Sequence, residues 1–391
     1  MYVQLICKDR NEKEMNELYE VLDAICHREG VQIEDRLDHV DILVCPQGKI
    51  VVTEEGKDMY LTANTRHAGA GFHAFCVDIF KDIEEELPGE YELIDDLEFD
   101  KDEDFHRLHH VYENELDYLR KLLLQDPDMR AKNYLYDETF FLPIEKEGHI
   151  NTAIGPMDTK EFATVDLHDL MDAFYVWNDW DRDARFYKNA ALTLLAKEGV
   201  GIYSKMNETT EKNANTICDY LEIAYEKDPQ QPLPVKEYER LVFELGRDNL
   251  LKNAIAMEQE AVAYREKEVY HLFEDVKVVA DGAAERSYDP VNQSINLMAP
   301  YKDEGDWSWL IQASKNPSIL EDYEAVSKTQ PIPVENGHVW INDWYEDGIY
   351  HIDAILNEGE RWLYIHDVAA NEKDLKYLKE CIKQSGFLPL S

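Results

Sequence analysis

Basic residues are scarce in this chain. Forty lysines and arginines face 82 aspartates and glutamates, a formal net charge of −42 over 391 residues. A surface so negative repels phosphate backbones and anionic lipid headgroups, which sets aside nucleic acid and membrane surfaces as partners and favours cations, basic proteins or basic peptides. Long apolar runs are also missing, since none approaches the ~20 residues that span a bilayer. The opening "MYVQLICKDRNEKEMNEL" has no basic segment followed by an apolar one and does not read as a signal peptide. The six cysteines (Cys7, Cys26, Cys45, Cys76, Cys218, Cys381) are scattered without a CxxC pair. That argues against a structural zinc site and a disulfide framework, and a cytoplasmic location is expected. No G-x-S-x-G, P-loop, H-E-x-x-H or S-x-x-K signature occurs, and no pattern calls for a cofactor.

What is present suffices for folding. The chain is 44% hydrophobic and 11% aromatic, unlike a disordered acidic tail. The patterning predicts a mixed α/β (α+β) protein in three parts: 1–128, 129–270 and 271–391. In the first, short apolar strands such as "YVQLIC" and "DILVC" alternate with helices. One of these has Met15, Leu18, Leu22 and Ile25 at helical spacing before Gly30, and "DFHRLHHVYENELDYLRKLLLQD" is strongly amphipathic. "QDPDMRAKN" reads as a boundary. In the second, "YDETFFLPIEKEGHINTAIG" reads as a hairpin, followed by helices around Leu167–Trp177, Phe186–Leu195, Ile217–Tyr225 and Val235–Leu245. In the third, "HVWINDWY", "GIYHIDAIL" and "RWLYIHDV" predict an antiparallel meander, closed by a helix that Asn371 caps. "VVTEEGKDMYLT", "FLPIEKEGHINTAI" and "DAILNEGERWLYI" share a strand–turn–strand pattern, consistent with a ββα unit used three times or with chance.

One further absence is local. No acid occurs between Asp58 and Asp78, and within that gap lies "YLTANTRHAGAGFHAF", with Arg66, His67 and His73. Gly69 to Ala74 is a formal G-x-G-x-x-A, with Asp95 at the end of the next strand. Asn64 to His67 separate the glycines from the preceding strand, so the chain cannot turn straight onto a pyrophosphate. The broader expectation is an anion site at a helix start, where free N–H groups meet the positive dipole end. Asn64, Thr65, Arg66, Gly69 and Gly71 would form it, and His73 or His67 would be the acid–base group. The competing expectation is that Asn64 and Thr65 cap the helix, the glycines permit close packing and Arg66 pairs with a carboxylate.

Metal-ligating patterns are sparse. His106, His110, Glu113 and Asp117 share a helix flank and are candidate ligands, or a solvated flank beside Leu108, Tyr112 and Leu116. "DKDED" from Asp100 imitates an EF-hand but has Phe105 where Gly is needed and Val111 where Glu is needed. In the meander, His351, Asp353, His366 and Asp367, with Asp343, are an acid–base or metal candidate, or polar residues on a half-exposed sheet. The surrounding Trp340, Trp344, Tyr345, Tyr350, Trp362 and Tyr364 suit a basic protein partner.

"TANTRHAGAGFHAF", together with "DPQQPLPVKEY", resembles a family of bacterial proteins in which a TNT-x-AG-x-G-[FY]-H loop leads into a helix. The resemblance singles out Asn64, Thr65, Gly69, Gly71, Phe72 and His73, and carries no activity to transfer. Two functions are therefore expected in competition. One is an acidic cytoplasmic protein-binding module, immunity- or adaptor-like, that recognises a basic partner. The other is an enzyme acting on a phosphate- or carboxylate-bearing small molecule at Gly69–His73.

Overall fold

The computed structural model describes residues 1–125, 144–146, 148–152, 154–198, 206–258, 260–289, 291–299 and 307–388. The expected boundary after Gln125 and the first half of the expected hairpin lie outside them. The fold is mixed α/β, as the patterning predicts.

The N-terminal sheet grows from short strands with one apolar face. β1 (Tyr2–Lys8), β2 (Gln32–Asp35), β3 (Val40–Cys45), β4 (Gly48–Glu55), β5 (Asp58–Asn64) and β6 (Glu90–Asp95) form an antiparallel sheet in the order β2-β3-β4-β5-β1-β6. Alternation along β1 buries Val3, Leu5 and Cys7. Helix α1 (Glu12–Glu29) starts at a capping box, Asn11 with Glu14, and stops at Gly30 in the left-handed region (φ 66°). Its buried stripe contains the expected Met15, Leu18, Leu22 and Ile25. Helix α2 (Ala70–Glu86) is buried on nearly every side of its first three turns, so it runs through the core rather than over it. A short turn of helix, α3 (Phe99–Asp102), leads into α4 (Phe105–Gln125), which buries Leu108, Tyr112, Leu116, Leu119 and Leu123.

In the described part of the expected hairpin, Ile144 bridges to Tyr270, and Lys146 and Glu145 pair with Glu268 and Lys267. β7 (His149–Thr152) pairs with β8 (Gly155–Asp158), with Thr152 opposite Gly155. Helices α5 (Thr159–Thr164), α6 (Leu167–Phe174), α7 (Ala184–Glu198), α8 (Glu208–Lys227) and α9 (Val235–Leu245) follow. One hydrophobic core joins the N-terminal sheet and helices to residues between Ile150 and Ala196, and a second joins α7, α8 and α9 with Leu251 and Val262.

The C-terminal part pairs β9 (Glu268–Phe273) with β10 (Val276–Asp281). β11 (Glu285–Asp289), β12 (Ser294–Met298), β13 (Trp309–Ser314), β14 (Ile332–Val334), β15 (Gly337–Glu346), β16 (Ile349–Glu358) and β17 (Arg361–Ala369) build a seven-stranded sheet ordered β11-β12-β13-β17-β16-β15-β14. The expected meander is β15–β17, and its first turn has positive φ at both Asp347 and Gly348, as a tight hairpin requires. After a short helix α10 (Tyr323–Ser327), the closing helix α11 (Glu372–Gln384) starts at Asn371 and covers the sheet's inner face. A two-residue strand, β18 (Gly386–Phe387), ends beside β10. No helix among the described residues is long and apolar enough to cross a membrane.

Candidate functional site

The glycine-rich turn lies inside the fold. Gly69, not Asn64 or Thr65, holds the position before α2, with φ 114°, a conformation costly for any residue with a Cβ. The segment following α6 crosses the helix start. Trp177 donates its N–H to the Ala68 carbonyl (2.8 Å), and its own carbonyl accepts the Gly71 amide (3.1 Å). A peptide carbonyl of the same chain therefore sits where an anion would bind. Asn64 accepts the Arg66 amide (3.2 Å), and the Arg66 guanidinium pairs with Glu115 of α4. His67 is half-buried alongside.

Thr65 and His73 are both fully buried. The His73 ring lies 2.9 Å from the Thr65 hydroxyl through Nδ1 and 3.0 Å from Asp95 through Nε2. The Tyr112 hydroxyl approaches both the Thr65 hydroxyl (2.9 Å) and carbonyl (3.0 Å). A proton on His73 Nε2 satisfies the chain: Tyr112 donates to Thr65, Thr65 to Nδ1, and Nε2 to Asp95. Burial alone would raise the Asp95 carboxyl, but His73 and the amides of Leu97 and Asp100 outweigh it and hold it at about 2. The order hydroxyl–imidazole–carboxylate matches a catalytic triad. Its hydroxyl has no exposed surface, so the arrangement acts as a buried polar tie between β5, α2, β6 and α4. Sequence reading noted Asp95 only in connection with a dinucleotide site that it set aside, and placed Tyr112 on the core side of its helix without linking either to Thr65 or His73.

An open cleft of about 830 Å³ borders the other side of α2, lined among others by Phe75, Trp177, Trp180 and Arg182. Its cations are engaged: Arg182 stacks on Phe75 and Trp177 (4.7 and 4.9 Å) and donates to the Glu29 carbonyl, while Arg185 pairs with Asp172. Glu29, Asp78, Asp181, Asp183 and Asp228 outnumber Arg182, Arg185 and Lys227 on its walls, so the cleft offers no net positive field.

Of the expected metal ligands, His106 and His110 are exposed on α4. His110 bonds Glu113 (2.8 Å), and Asp117 pairs with Arg120 and Lys121. They form a solvated flank. Asp100 and Asp102 lie in α3 rather than in a calcium loop.

The outer face of the C-terminal sheet gathers more chemistry. Across β15, β16 and β17 it presents Trp340, Trp344, His351, Asp353, Trp362, Tyr364 and His366, because opposed residues of antiparallel strands share a face. Trp340 and Trp362 stack across β16 (6.3 Å, 26°), and Trp362 is 43% exposed. The segment between β13 and β14 crosses this face and brings Glu321, Tyr323 and Glu324 to it. His351 Nδ1 and His366 Nε2 each lie 3.8 Å from Glu321 Oε1. Asp353 is buried beneath them, bonding His366 Nδ1 (2.9 Å) and the Asp322 amide (2.8 Å). Asp367 and Asp343 belong to the opposite face: Asp367 is in the core with both oxygens unpartnered, and Asp343 pairs with Lys379 of α11. Burial, then the neighbouring Asp353, pushes the Asp367 carboxyl far above its ordinary range. Glu321 is the member that sequence reading missed.

Comparison of the chain with protein-family models, curated proteins and solved structures returns no match in any of the three.

Proposed function

We propose that the protein is an acidic binding module whose outer C-terminal sheet face receives a basic protein segment. The Trp340–Trp362 stack, with Trp362 exposed and Trp340 half-buried, on a chain of net charge −42 carries this reading. An aromatic face attracts a lysine or arginine head within about 6 Å, worth roughly 0.5–1 kcal/mol at an exposed site. The exposed carboxylates Glu321, Glu324, Glu335 and Glu360 around it add longer-range attraction and speed encounter. An immunity- or adaptor-like role in the cytoplasm is the kind of function such a face serves. The competing reading, an enzyme acting on an anionic small molecule at Gly69–His73, draws no support from the geometry, because the Trp177 carbonyl takes the Gly71 amide and Glu115 pairs with Arg66.

The test is fluorescence anisotropy of a labelled Arg/Lys-rich peptide across a salt series, with a Glu-rich peptide as control. Binding should weaken as salt rises, be absent for the control, and fall roughly fivefold in Trp362→Ala, the loss expected for one exposed cation–π contact. Salt-insensitive binding, or affinity undiminished from wild type in both Trp362→Ala and Trp340→Ala, overturns the proposal.

A further inference from the structure

We infer that Glu321, His351 and His366 form a binding site for one divalent transition cation of the zinc class. His351 Nδ1, His366 Nε2 and a Glu321 carboxylate oxygen lie within 4.8 Å of one another. The two ring nitrogens are each 3.8 Å from the same carboxylate oxygen, too long for a hydrogen bond. Ligands about 2.0–2.2 Å from a tetrahedral ion stand roughly 3.4 Å apart, so the two 3.8 Å separations to Glu321 need shifts of a few tenths of an ångström, and the two ring nitrogens, within 4.8 Å of each other, must close by up to somewhat more than an ångström. Glu321, half-exposed on the crossover segment, can supply the first, and small rotations of the two imidazoles the second.

The surroundings prepare the two imidazoles. Asp353 accepts from His366 Nδ1 at 2.9 Å, which fixes the proton there and leaves the Nε2 lone pair facing the group. A metal-bound histidine is commonly oriented by a carboxylate in this way. The other oxygen of Asp353 accepts the Asp322 amide, so one buried carboxylate positions both a histidine ligand and the backbone next to Glu321. Trp344 stacks on His351 almost parallel (5.1 Å, 10°) and holds its ring. Nδ1 of His351 is shielded from solvent and makes no hydrogen bond, a cost that a bound ion would remove. Two imidazoles and one carboxylate suit zinc, cobalt or nickel rather than calcium or magnesium, which prefer all-oxygen shells. Three protein ligands leave a fourth position for water on the solvent side. The inference is independent of whether the neighbouring tryptophans receive a basic partner.

Tag-free protein, stripped with a chelator and returned to physiological salt, should be titrated with cobalt(II) and read by its ligand-field absorption. One equivalent should give the absorption of a four-coordinate site, displaced by zinc. His351→Gln and His366→Gln should abolish it, and Glu321→Gln should weaken binding about tenfold or more. Zinc should also raise the unfolding temperature of the wild type but not of His351→Gln/His366→Gln, with circular dichroism showing that the variant is folded. Absence of that absorption, an equal stabilisation by magnesium, or a zinc effect that survives in the double variant would each mean cations only collect on the acidic surface, and would overturn the inference.

Discussion

The carbonyl of Trp177 accepts the amide of Gly71 at 3.1 Å, and the indole of the same tryptophan fills the space where a Cβ on Gly71 would stand. This close approach accounts for the core of the longest acid-free stretch of an acidic chain. From Thr65 to Phe72 the turn is largely buried. A carboxylate there would lose its hydration without gaining a cation, since Arg66 already pairs with Glu115.

Gly71→Ala should therefore be among the most damaging small substitutions in the chain. Its φ is helical, so the glycine is needed for space and not for conformation. An added methyl would overlap the Asp179 carbonyl and the Trp177 ring. Overpacking of this kind costs about 3 kcal/mol. Urea unfolding should show a large drop in midpoint at unchanged slope, whereas Arg66→Ala, which breaks a half-exposed ion pair, should cost no more than about 1 kcal/mol.

The Asp95 tie predicts a pH signature. Its carboxyl is held at about 2 in the folded chain against an ordinary 3.8, so the folded state resists protonation more than the unfolded state does. The stability this supplies is complete above roughly pH 4 and is lost as pH falls towards 2. Asp95→Asn should lower stability at pH 7 by roughly 1–2 kcal/mol, and the gap to wild type should narrow between pH 4 and 2. Thr65→Val, which removes the hydroxyl shared by Tyr112 and His73, should cost about 1–3 kcal/mol with no such narrowing.

The helices and the meander were legible because their signals are local. The α1 stripe repeats at helical spacing between a capping box and a glycine, and β15–β17 alternate between glycine turns. The two sites were legible only in part, because their partners are distant in sequence. His73 meets Asp95 22 residues away, and Thr65 meets Tyr112 47 residues away. The glycines announced a close approach but not that Trp177 would make it. His351, Asp353 and His366 were visible as a group on neighbouring strands. Glu321 was not, because it reaches the sheet from the crossover that follows β13. Asp367 misled in the other direction, since alternation turns it into the core.

That core carboxyl gives a prediction of opposite sign. Both Asp367 oxygens are buried without partners, and burial first, then Asp353, raises its pKa. The folded chain keeps the proton at pH values where the unfolded chain releases it, so stability declines as pH rises above roughly 4. Asp367→Leu removes both the orphaned polar atoms and the pH term. It should stabilise the protein at pH 7 by about 1–3 kcal/mol, read as a higher unfolding temperature, and by less near pH 4.

His271 should dominate a different window. It is 1% exposed, donates through Nε2 to the Asp281 carbonyl at 3.0 Å and has no partner at Nδ1. Burial brings its pKa down to about 3; the bond to the Asp281 carbonyl opposes it, and the nearby Arg286 and Arg265 add smaller lowering contributions. In the unfolded chain the same ring takes up its proton near 6.5. Between those values the unfolded state binds a proton that the folded state refuses, so stability falls as pH drops from about 6.5 towards 3 by up to about 1.4 kcal/mol per pH unit. His271→Gln keeps a donor for Asp281 and cannot titrate. Its urea-unfolding free energy should change less than wild type between pH 6.5 and 4, and two parallel pH profiles would show that His271 is protonated within the fold.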